Sequence, residues 1–455
     1  MCRRPLDGYE DGTNHMSARY VSLDRVRGLK ALRRSSAPEA PTGGGQSFLP
    51  DDGGESPSHT KTMNYDPERL SRILGATPKT NEYGNYLSVR CWCAHPPRYS
   101  PDLCALRLLV PEAPDEVADP DEWLFLDTET TGLAGGSGTY AFLVGLAWWD
   151  GGGLEIEQFF MREYSEERSM LFALRERIAE HPVLVTFNGK SFDWPLLETR
   201  YRMSRKISVP TLRAHLDFLH PARSLWRLRL GSVRLSELER HVLGWDRGAD
   251  VLSGQIPQIY FDYLRGGRPE RLVPVLNHNQ MDLRGLAALS SRILCSLGDA
   301  ENSGLDGLEL FGVSRICEKR GERRRARTLY EKSIASILPA ETDRAARRSL
   351  ARLAKREGDF DLACELWNGA LGNSRHGYEA YEQLAIYYEH KARDSEQALQ
   401  VVRQAVDELR RAIQTGDIAP GAYREIKTRF DRRMLRLERK NRRPLLDAMA
   451  IHAQT

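Results

Sequence analysis

Trp123-Leu-Phe-Leu126-Asp127-Thr-Glu129 sets four apolar residues directly before two carboxylates one residue apart. An apolar run of this length reads as a short buried strand. Side chains alternate along a strand, so Asp127 and Glu129 are expected on the same side of it. Two carboxylates so close repel each other unless a cation neutralises them. Hard divalent ions such as Mg²⁺ or Mn²⁺ take oxygen ligands of this kind. Taken alone, the pair fits an exposed strand end equally well.

Downstream, strand candidates at Tyr140 to Trp149 and Leu154 to Phe160 precede a helical pattern over Glu166 to Ala179. Val183 to Phe187 reads as a further buried strand, followed at once by Asn188-Gly-Lys-Ser-Phe-Asp193 and a helix over Ser191 to Tyr201. Asp193 falls in the first turn of that helix, where capping and the helix dipole also favour an acid. A last long helix spans about Arg271 to Leu297 and carries His278-Asn-Gln-Met-Asp282. The i, i+4 spacing puts imidazole and carboxylate on one helix face, as surface neighbours or as partners. Strands that first meander and then alternate with helices predict an α/β fold, a mixed sheet flanked by helices.

Upstream, residues 1–62 are rich in Gly, Pro, Ser and Asp, lack apolar periodicity and read as disordered; Met16 and Met63 are alternative candidate starts. Pro67 to Leu74 has a helical pattern, and Tyr86 to Cys93 and Leu106 to Val110 read as strand-like pieces. Cys91-x-Cys93-x-His95, with Cys104 beyond, alternates along an extended segment, but lacks the C-x₂-C spacing of paired zinc loops and reads as free thiols. Beyond Gly304 strands give way to helical spacing and a weak repeat. Gly321, Ala326, Tyr330 and Ser333 are echoed by Gly358, Ala363, Trp367 and Ala370, and again by Ala398, Val402 and Ala405. The period lies near the ~34 residues of tetratricopeptide repeats; an unrelated helical bundle is the other reading. Between Lys427 and Arg443 nine Lys or Arg residues face two acids, a basic helix suited to a phosphate backbone or to solvent.

In this order, D-x-E after a first strand, N-x-x-x-F-D after a later one and H-x-x-x-D in a last helix resemble the DEDD exonuclease superfamily. More closely, the chain resembles the YprB ribonuclease-H-like family. The likeness is carried by Leu126-Asp-Thr-Glu-Thr-Thr-Gly132, Gly138-Thr-Tyr-Ala-Phe142, Phe187-Asn-Gly-Lys-Ser-Phe-Asp193, Leu216-Asp-Phe-Leu-His220 and His278-Asn279 with Asp282. The resemblance implies a ribonuclease-H-like fold in which Asp127, Glu129, Asp193 and Asp282 hold two Mg²⁺ or Mn²⁺ ions. His278 is then the implied general base. It stands four positions before Asp282, where superfamily members with a histidine base usually have five, and the YprB-like likeness extends to this spacing. Asn188 and Lys190 are expected to meet substrate or order their turn. Asp217 and His220 are expected to be structural, and the glycine-rich Gly135 to Gly138 to border the cleft. Arg223, Trp226 and Arg227 are candidate guides for a strand.

The expected organisation is therefore a disordered region at 1–62, a short extension with β-segments at 63–120, a ribonuclease-H-like exonuclease domain at 121–298, tetratricopeptide-like repeats at 305–415 and a basic helix at 416–455. The implied function is metal-dependent hydrolysis of phosphodiester bonds, as a 3′→5′ exonuclease on single-stranded ends of DNA or RNA. The alternative is a catalytically idle scaffold that binds nucleic acid or a protein through its helical repeats. A hydrophobic share of 41% and a charged share of 28% are ordinary for a globular chain, and a net charge of +3 selects no partner by itself. No apolar run approaches the ~20 residues of a membrane span. Seven scattered cysteines suit a reducing compartment, and the polar start lacks a signal core, so a cytoplasmic protein is expected.

Overall fold

The computed structural model describes residues 67–94, 101–132, 138–372 and 378–452. Residues 1–62, His95 and Gly135 to Ser137 lie outside them. The chain begins with α1 (Pro67–Leu74), the hairpin β1 (Thr77–Asn81) and β2 (Gly84–Ala94), and α2 (Leu103–Leu109). This last element corrects the strand expected at Leu106 to Val110. The Asp102 carboxylate accepts from the backbone N–H of Cys104 at 3.0 Å and caps a run of Leu, Ala and Arg, all strong helix formers.

The deciding stretch forms β3 (Trp123–Thr130), followed by β4 (Ala141–Asp150) and β5 (Gly153–Phe160), then α3 (Glu167–Glu180), β6 (Val183–Thr186), α4 (Asp193–Ser204) and β7 (Ala214–Asp217). The seven strands make one mixed sheet in the order β1-β2-β5-β4-β3-β6-β7, antiparallel up to β3 and parallel from β3 to β7. Helices α5 (Leu219–Leu230), α6 (Leu235–Leu238), α7 (Ile256–Leu264) and α8 (Val273–Gly298) complete the α/β part. Alternation along β3 divides its side chains between two cores. Trp123 and Phe125 pack with Leu225 of α5 and Leu286 of α8, while Leu124 and Leu126 pack with Leu174 of α3 and Leu197 of α4.

Helix α8 lies unusually close to the sheet where it crosses β4. A Cβ added at Gly145 would stand 2.1 Å from Asn279 Oδ1 and 2.8 Å from a Leu283 methyl, so only glycine fits. Because Gly145 pairs with Asp127 across the sheet, this crossing sets α8 directly beside the carboxylates of β3.

From residue 307 the chain is helical: α9 (Gly307–Arg320), α10 (Arg323–Ile334), α11 (Ala340–Glu357), α12 (Phe360–Gly369), α13 (Tyr378–His390), α14 (Ser395–Gln414) and α15 (Pro420–His452). The recurrent alanines Ala326, Ala363 and Ala398 are fully buried on α10, α12 and α14. Gly321 and Gly358 end α9 and α11 in the left-handed conformation, at φ of 84° and 83°. Four cations of the basic helix α15 are taken up in ion pairs: Lys427 with Asp431, Arg429 with Glu382, and both Arg433 and Arg436 with Glu389.

The helical region is seated on the α/β part through α5 and α9. A Cβ at Gly312 would meet the Ser224 carbonyl oxygen at 2.3 Å. The Asp306–Glu309 capping box that starts α9 also accepts the Trp226 indole N–H, 2.7 Å from Glu309 Oε1. Among the described residues no helix is long and apolar enough to cross a membrane.

Gly145→Ala is expected to cost about 1–3 kcal/mol by forcing α8 off β4, read as a lower midpoint in thermal unfolding followed by circular dichroism. An unchanged midpoint would mean that α8 is not held at this crossing.

Candidate active site

The C-terminal end of β3 delivers Asp127 and Glu129 on the Trp123 and Phe125 side, toward α8, as strand alternation requires. A register shift between Glu129 and Thr130 ends the regular pairing just past the second carboxylate. Asn279, one turn into the crossing of α8 over Gly145, donates from Nδ2 to Asp127 Oδ2 at 2.7 Å. Its own Oδ1 accepts from Gln158 Nε2 at 2.7 Å, and Gln158 Nε2 also donates to the Leu276 carbonyl at 2.8 Å. A buried amide chain from β5 thus orients the residue that holds Asp127.

Asp193 arrives from the other side. Thr128, between the two acids, donates its hydroxyl to Asp193 Oδ1 at 2.5 Å. The loop that carries Asp193 is fixed by three main-chain features. Asn188 takes a positive φ of 72°, Gly189 sits where a Cβ would be 2.5 Å from Thr186, and Trp194 N–H closes onto the Gly189 carbonyl at 2.9 Å. Asp217 ties the loop to β7. Its Oδ1 accepts from Asn188 N–H at 2.9 Å and Leu219 N–H at 3.0 Å, and its Oδ2 from Lys190 N–H at 3.0 Å. Asn188 and Asp217 therefore order the turn. Burial, followed by the charge of Lys190, pushes the neighbouring His215 down to about 4.

His278 is buried on α8, with Nε2 4.0 Å from Glu129 Oε1 and 3.5 Å from Asp282 Oδ2. Its Nδ1 lies 2.8 Å from Asp250 Oδ1. Asp282 is ion-paired with Arg247, whose guanidinium also meets Glu239 and Asp250. Nothing periodic marks Asp250 and Arg247 in the sequence, since they sit in an irregular segment; the acid-base-acid run Asp246-Arg-Gly-Ala-Asp250 is the one local signal.

The electrostatics follow from this crowding. Burial, and then the charges of Asp282, Glu129 and Asp193, hold the Asp127 carboxyl well above the usual carboxylate range. Glu129 is raised likewise by burial, Asp282, Asp193 and Asp250. Asp193 is raised by burial against the opposing Thr128 hydrogen bond. Burial works against the Asp250 anion too, yet its bond to His278 and its pairing with Arg247 hold it below the usual range. All four acids of the cluster offer oxygen donors, a set that fits a hard divalent cation. Among the described residues no three His, Cys, Asp or Glu side chains form a ready-made ligand cage.

Other expected residues lie elsewhere. Lys190 and His220 are exposed, and Lys190 is three residues from Asp193. Trp226 is corrected from a surface guide to a core residue at 1% exposure. Cys91 and Cys93 are half-buried on β2, where burial pushes both thiols up.

The central β3 with its two acids, the parallel β6 and β7 beside it and α8 across it define a ribonuclease-H-like protein with a nuclease-type fold. The RNase_H superfamily model matches residues 124–294. The YprB protein of Bacillus subtilis (strain 168) is 31% identical over 288 residues, which span 62% of this chain and 69% of that protein. This chain belongs to the YprB ribonuclease-H-like family. Among solved structures, the family B DNA polymerase of the hyperthermophilic archaeon Pyrobaculum calidifontis aligns with a TM-score of 0.34 at 16% identity, covering 45% of this chain and 29% of the polymerase chain.

Because the folded carboxyls are raised, the native state keeps protons that the unfolded chain releases, and stability falls as pH rises from the ordinary carboxylate range through the raised values. In metal-free buffer Asp127→Asn should therefore melt higher than the native protein at pH 8, by about 1–2 °C for each ~1 kcal/mol of relieved repulsion. The difference should shrink at pH 5. Equal melting at both values would mean that the cluster stores no repulsion.

Proposed function

We propose that the protein is a divalent-metal-dependent nuclease that hydrolyses phosphodiester bonds, acting as a 3′→5′ exonuclease on single-stranded ends. The observation that carries this reading is the gathering of four carboxylates from three elements, β3, the start of α4 and α8, with Asp127, Glu129 and Asp193 all held above the usual range. Such a cluster is stable as anions only with positive charge among them. Asp127, Glu129, Asp193 and Asp282 would hold two Mg²⁺ or Mn²⁺ ions, which when bound polarise the attacking water and stabilise the leaving oxygen. The direction of cleavage rests on the superfamily resemblance.

The chain's own residues supply the proton chemistry. Asp250 anchors the His278 ring through Nδ1 and so turns Nε2 toward Glu129, Asp282 and the Ser253 hydroxyl. That nitrogen is placed to take the proton of an attacking water. Asn279 keeps Asp127 aimed through the same α8 turn. Arg247, which neutralises Asp282, supports a second reading, an idle scaffold working through its tetratricopeptide-like helices.

Asp127→Ala with Glu129→Ala is expected to abolish Mg²⁺-dependent degradation of end-labelled single-stranded oligonucleotides while the protein stays folded, and EDTA should do the same to the native chain. His278→Ala should lower kcat by about 10²- to 10⁴-fold. Unchanged cleavage by the double variant would sink the nuclease reading. A native protein whose melting temperature does not move in millimolar Mn²⁺ would favour the scaffold.

A further inference from the structure

The loop that presents Asp193 also forms the mouth of a second feature. A cleft of about 620 Å³ opens between α2, α5 and α9, and Lys190 and Asp217 line its near end. Arg223 and Arg227 project into it four residues apart on α5, and Arg315 and Lys319 four apart on α9. Four-residue spacing places each pair on one helix face. The two helices therefore offer a double row of cations.

These four cations share one cleft, and among the described residues none of them is held in an ion pair. Among the described residues no carboxylate lies within ion-pair distance of Arg223, Arg227, Arg315 or Lys319, and all four are exposed. Other cations of the helical region are paired: Arg327 meets Glu331, Glu357 and Asp359, and Glu389 takes both Arg433 and Arg436. Asp217, the acid in the cleft lining, is already accepting from three backbone N–H groups. Arg320, at the back of the cleft, is spent on the carbonyls of Leu108 and Leu109, where it caps α2.

The lining also selects the form of polyanion. Leu109, Val110 and Ile316 line the same cleft. Phe192, two residues beyond Lys190, is 60% exposed. A duplex would present only phosphates to such a surface, whereas a single strand presents phosphates to the cations and base faces to the apolar and aromatic groups. Asp217 also ties the cleft to the acidic cluster, since its charge bears on Asp193.

We propose that the α5–α9 cleft binds the phosphate backbone of single-stranded nucleic acid and leads the strand past Lys190 to the carboxylates of β3. The proposal rests on the nuclease reading for the strand's destination, but its binding step is measurable without cleavage. The test uses the full chain with Asp127→Ala and Glu129→Ala, in EDTA, and follows fluorescence anisotropy of a labelled single-stranded oligonucleotide. Adding Arg223→Ala, Arg227→Ala, Arg315→Ala and Lys319→Ala should weaken binding about tenfold or more near physiological salt. It should also flatten the slope of log K against log[NaCl] by about 3, at ~0.7 for each phosphate no longer neutralised.

Lysine at positions 223, 227 and 315 should restore most of the binding, because the charge remains, and the melting temperature of every variant should match its parent. Unchanged affinity and slope in the alanine set would overturn the proposal, as would a loss confined to duplex of the same length. Cleavage that depends on Asp127 and Glu129 while binding ignores the four cations would remove the cleft alone. Cation-dependent binding by a native chain that cleaves nothing would remove the nuclease reading and keep the cleft.

Discussion

The carboxamide of Asn279 resting on the bare backbone of Gly145 is the contact through which α8 finds its place. At that point the helix is too close to β4 for any side chain. Everything that α8 brings to the site follows from it: Asn279 on Asp127, His278 toward Glu129, and Asp282 one turn later. The amide chain through Gln158 then makes the approach directional, since each buried nitrogen and oxygen has a stated partner. Packing provides the closeness and hydrogen bonding the register. Neither would align an imidazole with a strand carboxylate alone.

Around that contact the molecule keeps its charge in two unlike conditions. In places arginines and acids are matched locally, as the buried Glu157 is between Arg90 and Arg177. Near the end of β3 the matching breaks down in opposite directions on either side of the 187–192 loop. On one side acids crowd together, with Arg247 facing Asp282, Glu239 and Asp250. On the other, the cations of α5 and α9 face the apolar lining of a cleft. Asp217 and Lys190 stand at the boundary, and the strained main chain at Asn188 holds that boundary in shape.

The sheet was legible because its signals are local. The apolar run before Asp127 and the alternation at Glu129 fix face and direction within seven residues, and β6 announces itself by its unbroken apolar stretch. The four acids became a set only through the order of their motifs; in the structure the charges of Asp193 and Asp282 bear on Glu129 at the end of β3. What stayed hidden depends on contacts far apart in sequence. Asp250 reaches His278 across 28 residues and Arg247 reaches Asp282 across 35, from a segment without periodicity. Gly145 looks like any glycine within an apolar strand until a helix crosses it. Short apolar runs mislead: Leu106 to Val110 reads as strand-like until the Asp102 cap is weighed, and Trp226 reads as exposed until Glu309, 83 residues on, takes its N–H.

Gly312 carries a consequence for how the two parts of the chain move. With α9 pressed against the Ser224 carbonyl and pinned by the Trp226–Glu309 bond, α5 and α9 share one rigid seam. The two walls they give the cleft are then fixed in spacing by that seam. Selection among nucleic acids would act by calibre before any chemistry begins. Substitutions deep in the seam, far from either acid or cation, would retune it.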